Sequence, residues 1–142
     1  MSQDNYLNDK ESVHSKRFKK TRKVQTQILL EDYTEMISDL IQKNGEARIT
    51  EIARLMGVAH PTAAKAVARL KREGLAISRP YRGVFLTEAG IKMAERMRLR
   101  HQIIIDVLCA IGVPPEIAET DAEGIEHYIS EQTLAAFENF LK

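Results

Sequence analysis

A chain of 142 residues, 44% of them hydrophobic, has material for one ordinary domain or for two small ones sharing a core. Aromatic residues make up only 6% and Trp is absent, which argues against an all-β sandwich and for aliphatic helices. The net charge of +1 hides a skew: seven Lys/Arg face three Asp/Glu in residues 1–30, twelve face five in 46–100, and one faces seven in 112–142. A basic middle suggests a polyanionic partner and an acidic end holding a histidine suggests a cation; the bland alternative is two solvated faces that differ. The single cysteine, Cys109, cannot form an internal disulfide, and as a small apolar residue on a helix it is expected in the core. No apolar leader opens the sequence and no run approaches the roughly 20 apolar residues of a membrane span, so the expected location is cytoplasmic.

In chain order, residues 1–24 read as a basic, disordered tail that includes Lys16-Arg17-Phe18-Lys19-Lys20-Thr21-Arg22-Lys23 and could add phosphate contacts. Over 26–44 the stripe Leu29, Tyr33, Met36, Ile37, Leu40 and Ile41 predicts a helix, stopped by Asn44-Gly45. Thr50 is the expected N-cap of a short helix over 51–56 that Gly57 ends. Pro61 suits the first turn of a second helix, closed by Gly74. Two helices joined by a turn at Gly57-Val58 match a helix-turn-helix. Residues 75–78 and 83–86 then read as short strands about the turn Arg79-Pro80-Tyr81-Arg82, a basic hairpin placed where a wing would be. Thr87 caps a long helix to about Cys109 with Ile91, Ala94, Met97, His101, Ile104 and Leu108 along one side. After Gly112, Pro114-Pro115 opens a helix ending near Tyr128, and Ser130 caps a last one. These short helices cannot bury their apolar faces alone and are expected to pack on the long helix and on a second copy of the chain. The fold class is mainly α with a small β wing: a winged helix-turn-helix over 25–88 and a helical domain over 89–142.

A helix-turn-helix brings the first residues of its second helix to base edges and sets flanking cations on phosphate. The candidates are His60, Pro61, Thr62, Lys65 and Arg69 on that helix and Arg79, Tyr81 and Arg82 on the wing. The sharpest feature elsewhere is Asp121-Ala122-Glu123-Gly124-Ile125-Glu126-His127. On a helix, 123, 126 and 127 share one face, and two carboxylates beside an imidazole repel unless a cation joins them. The spacing is not the zinc-protease pattern and no cysteine pair supports structural zinc; oxygen-rich sets with one or two imidazoles suit Mn2+ or Fe2+. Asp32 and Glu35, i and i+3 on the first helix, are further donors, whereas Glu31 points elsewhere; His101 lies on the apolar side of the long helix. By spacing alone, a lone histidine there is more often a satisfied core residue, an acidic pair on a first helix is usually solvent-facing, and 123, 126 and 127 could be a polar face.

Taken together, Glu31-Asp32-Tyr33 with Glu35, Ile52-Ala53 through Val58, Tyr81 to Thr87, Arg100-His101, Ile111-Gly112-Val113 and Asp121 to His127 form an ordered set. Over about residues 29–142 the chain resembles the manganese-dependent transport regulators, a branch of the diphtheria-toxin-repressor family. The resemblance implies a homodimeric repressor that binds operator DNA when Mn2+ is bound and controls manganese transport genes. It implies metal ligands at Asp32, Glu35, His101, Glu123, Glu126 and His127, holding one or two ions. The iron-responsive sister branch places a sulfur ligand where this chain has Glu123 and usually adds a further domain for which Lys142 leaves no room; manganese is therefore expected over Fe2+. Tyr128 departs from the family, which often has a second histidine there. The competing readings are an iron-responsive or organic-ligand-responsive winged-helix repressor and a metal-dependent hydrolase. No organic ligand or membrane contact is expected, and catalysis would leave the helix-turn-helix and wing unexplained.

Overall fold

A computed structural model describes residues 3–142. The first helix, α1, runs without a break over Gln3–Asn44. The disordered tail expected over residues 1–24 is thus corrected from Gln3 onward. The reason is local: no Gly or Pro occurs before Gly45, and Lys, Arg and Gln are good helix formers. The second half of α1 is held by packing, and extending an existing helix adds a hydrogen bond per residue without a new nucleus.

Helices α2 (Ile49–Met56) and α3 (His60–Arg72) follow, joined through Gly57, whose φ of +69° suits glycine. Thr50 is not the N-cap of α2; Arg48 takes that place in an extended conformation with no side-chain cap. A tertiary contact sets this start: Ala47 bridges Val84, whose N–H donates to the Ala47 carbonyl at 2.8 Å, and the helix turns in directly after. The wing is the antiparallel pair β1 (Ala76–Arg79) and β2 (Gly83–Leu86), in register Ala76 opposite Leu86 and Arg79 opposite Gly83. Gly83 has φ +96°, and a Cβ there would lie 2.5 Å from the Ala47 carbonyl oxygen, so glycine is required where wing and α2 meet.

The Thr87 side chain accepts from the Gly90 N–H at the start of α4 (Glu88–Ala110), and Ser130 accepts from Thr133 at the start of α6 (Glu131–Leu141). Between them α5 spans Pro115–Ile125 and stops short of Tyr128; Glu126 keeps right-handed helical angles, but residues 126–128 form a turn. The core of the first half joins Tyr33 and Ile37 of α1 to Ile52, Val67, Leu70 and Val84. In the second half Ala94, Met97, Ile104 and Val107 of α4 are buried with Ala118, Ala122 and Leu134. The buried side of α4 differs from the expected stripe: Ile91 is exposed and Arg100 is buried. Cys109, expected in the core, is exposed. Ile111, Ile117, Tyr128 and Phe140 also remain exposed. Among the described residues no helix is long and apolar enough to cross a membrane.

Candidate metal centre and nucleic-acid interface

Three helices converge on one cavity of about 720 Å3. From α1 come Asp32, Glu35 and Asp39, from α4 Arg98 and His101, and from α5 and the turn after it Glu123, Glu126 and His127. All six residues singled out in the sequence therefore line the same space. On α1 the spacing i, i+3, i+7 keeps the three carboxylates on one side, away from the Tyr33–Ile37 core face. His101, which its position on α4 alone would assign to the core, has a half-buried ring with Nδ1 2.7 Å from Glu126 Oε2. The other oxygen of Glu126 lies 3.5 Å from His127 Nε2, so this buried carboxylate is divided between two imidazoles.

His127 is held from both sides. Its Nδ1 stands 3.2 Å from Glu31 Oε2 and its Nε2 stands 3.0 Å from Asp32 Oδ1. The sequence reading that Glu31 points elsewhere holds for the cavity, which it does not line. It misses that Glu31, buried, orients the ring from behind and leaves Nε2 toward the acidic cavity. Hydrogen bonds to Asp32 and then Glu31 raise the His127 pKa to about 10. Burial, then the nearby Glu126 and Asp32 carboxylates, raises Glu35 to about 7. Burial likewise raises Glu126, against the pull of His101. The imidazolium is itself the cation among these carboxylates, and the stability it gives is held below the ordinary histidine range and lost only as pH rises toward about 10.

Sequence reasoning missed two supports. Arg98 Nη2 donates to Ser38 Oγ at 2.6 Å and to Asp39 Oδ1 at 3.0 Å, tying α4 to α1 at the cavity rim. Buried Arg100 donates from Nε and Nη2 to the Glu126 carbonyl at 3.0 and 2.8 Å and from Nη2 to the Ile129 carbonyl at 2.6 Å, and it pairs with Glu131 at 2.8 Å. The signal was its place beside His101 on the packed side of α4, where an arginine needs acceptors.

Does this set fit a divalent cation? Among the described residues no three His, Cys, Asp or Glu side chains already stand closed on a point that would hold an ion. The donor chemistry nevertheless fits: carboxylates outnumber the cations around them, two are driven toward protonation, and oxygen with imidazole suits a hard to borderline divalent ion. Coordination needs the Glu35 carboxylate and the His127 Nε2 lone pair; near neutral pH without metal His127 is protonated and Glu35 is about half so. Loading is therefore expected to release protons, and affinity to rise with pH through about 7 and on toward about 10 as Glu35 and then His127 lose theirs. Calorimetry in buffers of different ionisation enthalpy reads the proton count; identical heats in all of them would contradict it.

At the other end of the first half, His60, Pro61, Thr62 and Lys65 are exposed on the opening turns of α3, with Arg69 half-buried behind them. At the wing tip Arg79, Tyr81 and Arg82 are exposed, and the Arg79 guanidinium lies 5.1 Å from the centre of the Phe85 ring. Tyr81 is 95% exposed and has φ +64°, which is costly for a non-glycine residue. Its carbonyl accepts from Arg48 Nη2 at 2.8 Å, an anchor from the start of α2 that the sequence did not reveal.

An exposed basic helix-turn-helix and wing, joined through α1 to an acidic, histidine-bearing cavity, defines a DNA-binding regulator of the metal-responsive class. Residues 28–84 match the family model described as the iron-dependent repressor N-terminal DNA-binding domain, and residues 87–142 match the iron-dependent repressor metal-binding and dimerisation domain. The chain belongs to the iron-dependent repressor family. It is 48% identical over 130 residues to the transcriptional regulator MntR of Escherichia coli O157:H7, covering 92% of this chain and 84% of that one. It is 39% identical over 101 residues to the HTH-type transcriptional regulator MntR of Bacillus subtilis strain 168, covering 71% of each. Among solved structures it is similar to the manganese-activated repressor ScaR in its apo form, with a TM-score of 0.69 and 26% identity, over 78% of this chain and 53% of that one.

Proposed function

We propose that this chain is a manganese-responsive transcriptional repressor that, as a homodimer, binds operator DNA when Mn2+ is bound and controls manganese transport genes. The observation that carries the reading is the single cavity faced by Asp32 and Glu35 from the helix that leads into the reading head, and by His101, Glu123, Glu126 and His127 from the other half. We assign these six as the metal ligands, for one or two ions, with 25–88 as the DNA-binding unit and 89–142 as the metal-binding and dimerisation unit. His60, Pro61, Thr62, Lys65, Arg69, Arg79, Tyr81 and Arg82 are the DNA contacts, the protein works in the cytoplasm, and it senses rather than catalyses.

Bound Mn2+ supplies positive charge that cancels the repulsion among these carboxylates. Asp32 and Glu35 of α1 would hold the ion together with His101 of α4 and Glu123, Glu126 and His127, which would tie α1 to the other half. Glu31 holds the His127 ring by Nδ1, which would leave Nε2 as the atom offered to the ion. With α1 held, the two heads of a dimer keep one separation, matching successive major grooves about 34 Å apart. Manganese rather than iron is supported by the likeness to the manganese-activated repressor ScaR and the MntR regulators, and by a cavity lining without sulfur among the described residues.

Thermal melts of the metal-stripped protein with Mn2+, Fe2+ (anaerobic), Zn2+, Mg2+ or no addition test this, since a ligand of the native state raises Tm. A rise with Mn2+ that is absent with Mg2+ and lost in Glu123→Ala is expected. A larger rise with Fe2+ than with Mn2+ would favour the iron-responsive reading, and no rise with any metal would remove the sensor.

A further inference from the structure

The helical extension of α1 carries charge that the site above does not use. Between Val13 and Leu30 there is no carboxylate, whereas Lys16, Arg17, Lys19, Lys20, Arg22 and Lys23 are all present and all exposed. In the continuous helix α1, Lys16, Lys19, Lys20 and Lys23 are i, i+3, i+4 and i+7, which puts their four ammonium groups on one face. That face continues, through Gln27, the side that Leu30, Thr34 and Ile37 bury in the core. The lysines thus lie on the domain side of an overhanging helix. Like charges at this spacing repel and weaken an isolated helix, so a polyanion laid along the stripe would relieve a cost that no carboxylate within the segment offsets.

The overhang starts beside the reading helix. Leu29 and Tyr33 of α1 form one wall of a groove whose other wall is Thr62, Lys65, Arg69 and Arg72 of α3. At about 1.5 Å per residue, Lys23 to Lys16 lie roughly 9 to 20 Å beyond Leu29 along the helix axis. The stripe also precedes residue 28, where the match to the family's DNA-binding segment begins.

We propose that the Lys16–Lys19–Lys20–Lys23 face is a second DNA-contacting surface, which grips the phosphate backbone of duplex flanking the base pairs met by α3 and the wing. It rests on the DNA-binding reading and extends it to a segment outside the winged helix. The contact is to phosphate and carries no base preference, so it adds affinity and salt dependence rather than sequence choice. At one duplex charge per about 1.7 Å of axis, a stripe of this length meets several phosphates.

The test uses the full chain with Mn2+ and a variant in which all four lysines are glutamine, which keeps helix propensity; circular dichroism verifies that helix content is retained. A duplex is selected from a random-sequence pool by the variant, its footprint defines a core, and both proteins are measured on the core alone and on the core with 10 base pairs of unrelated sequence at each side. On the flanked duplex the variant is expected to bind at least about tenfold more weakly near 0.1 M salt, with a log-affinity against log-salt slope shallower by about 3 for each subunit whose stripe engages, about 7 for both. On the bare core the two proteins should converge. Equal affinity and slope on the flanked duplex, or an equal deficit of the variant on the bare core, would overturn the proposal. Binding of no duplex by either protein would remove the DNA-binding reading with it, a different and recognisable failure.

Discussion

Stripping the metal from the loaded protein is expected to weaken its hold on a selected operator duplex by roughly 10- to 100-fold, the ordinary range of coupling between two sites. The argument starts on α1. Asp32 and Glu35 lie one turn apart on the helix whose Tyr33, between them in sequence, packs into the same core as Val67 and Leu70 of the reading helix. Any force that fixes the carboxylates also fixes α3. Without a metal ion, Glu35 faces Glu126 and Asp32; burial first, and then the charge of those carboxylates, raises its pKa to about 7. Only a difference in metal affinity between competent and incompetent arrangements shifts their populations, and two or three kcal/mol suffices for this range. Fluorescence anisotropy with and without chelator reads the effect. Asp32→Asn with Glu35→Gln should keep the fold and bind DNA at the metal-free level whether or not Mn2+ is added. Metal-free protein that holds the duplex as tightly as loaded protein would sink the mechanism.

Replacing Arg100 with Met is expected to lower stability by about 3 kcal/mol and to cut the Mn2+-induced rise in Tm by more than half. This guanidinium fastens α4 to the turn that carries Glu126 and His127, through the Glu126 and Ile129 carbonyls and the Glu131 carboxylate. Methionine fills much of the volume but leaves carbonyls facing it without a donor, and a buried polar group without a partner is costly. Arg100→Lys should recover only part of the loss, because a single ammonium cannot match a planar fork aimed at three acceptors. Arg100 is a positioning residue for the metal centre if the metal-induced shift falls along with the metal-free Tm. A variant that melts earlier but gains the same increment from Mn2+ would make it a packing residue alone.

Most of the architecture was legible in the chain because its signals are local. Thr87 and Ser130 cap helices through their own side chains, Gly57 and Gly74 end them, and the hairpin over 76–86 follows from its turn residues and short apolar runs. Glu123, Glu126 and His127 were nameable from their spacing and Asp32 and Glu35 as a further acidic pair, but by spacing alone these were as readily polar faces and His101 a core histidine; the resemblance joined the six into one ligand set. What the sequence could not settle depended on partners far along the chain. Thr50 lost the cap of α2 because Ala47 pairs with Val84, 37 residues away, and fixes where the helix begins. Glu31 reaches His127 across 96 residues, and Arg98 reaches Asp39 across 59. Arg100 is charged yet buried because carbonyls of a distant turn converge on it, and Cys109 is apolar yet exposed because α4 turns its other side to α5 and α6. The basic segment before residue 24 was misread for a different reason: composition signals solvation, which it has, but not disorder, since a packed helix downstream supplies the nucleus from which it extends. The sequence by itself determined the local elements and the inventory of charge and donors, because those depend on neighbours a few residues apart. Only the tertiary structure decided which donors share a cavity and which side chains hold them there, because that depends on how three helices pack.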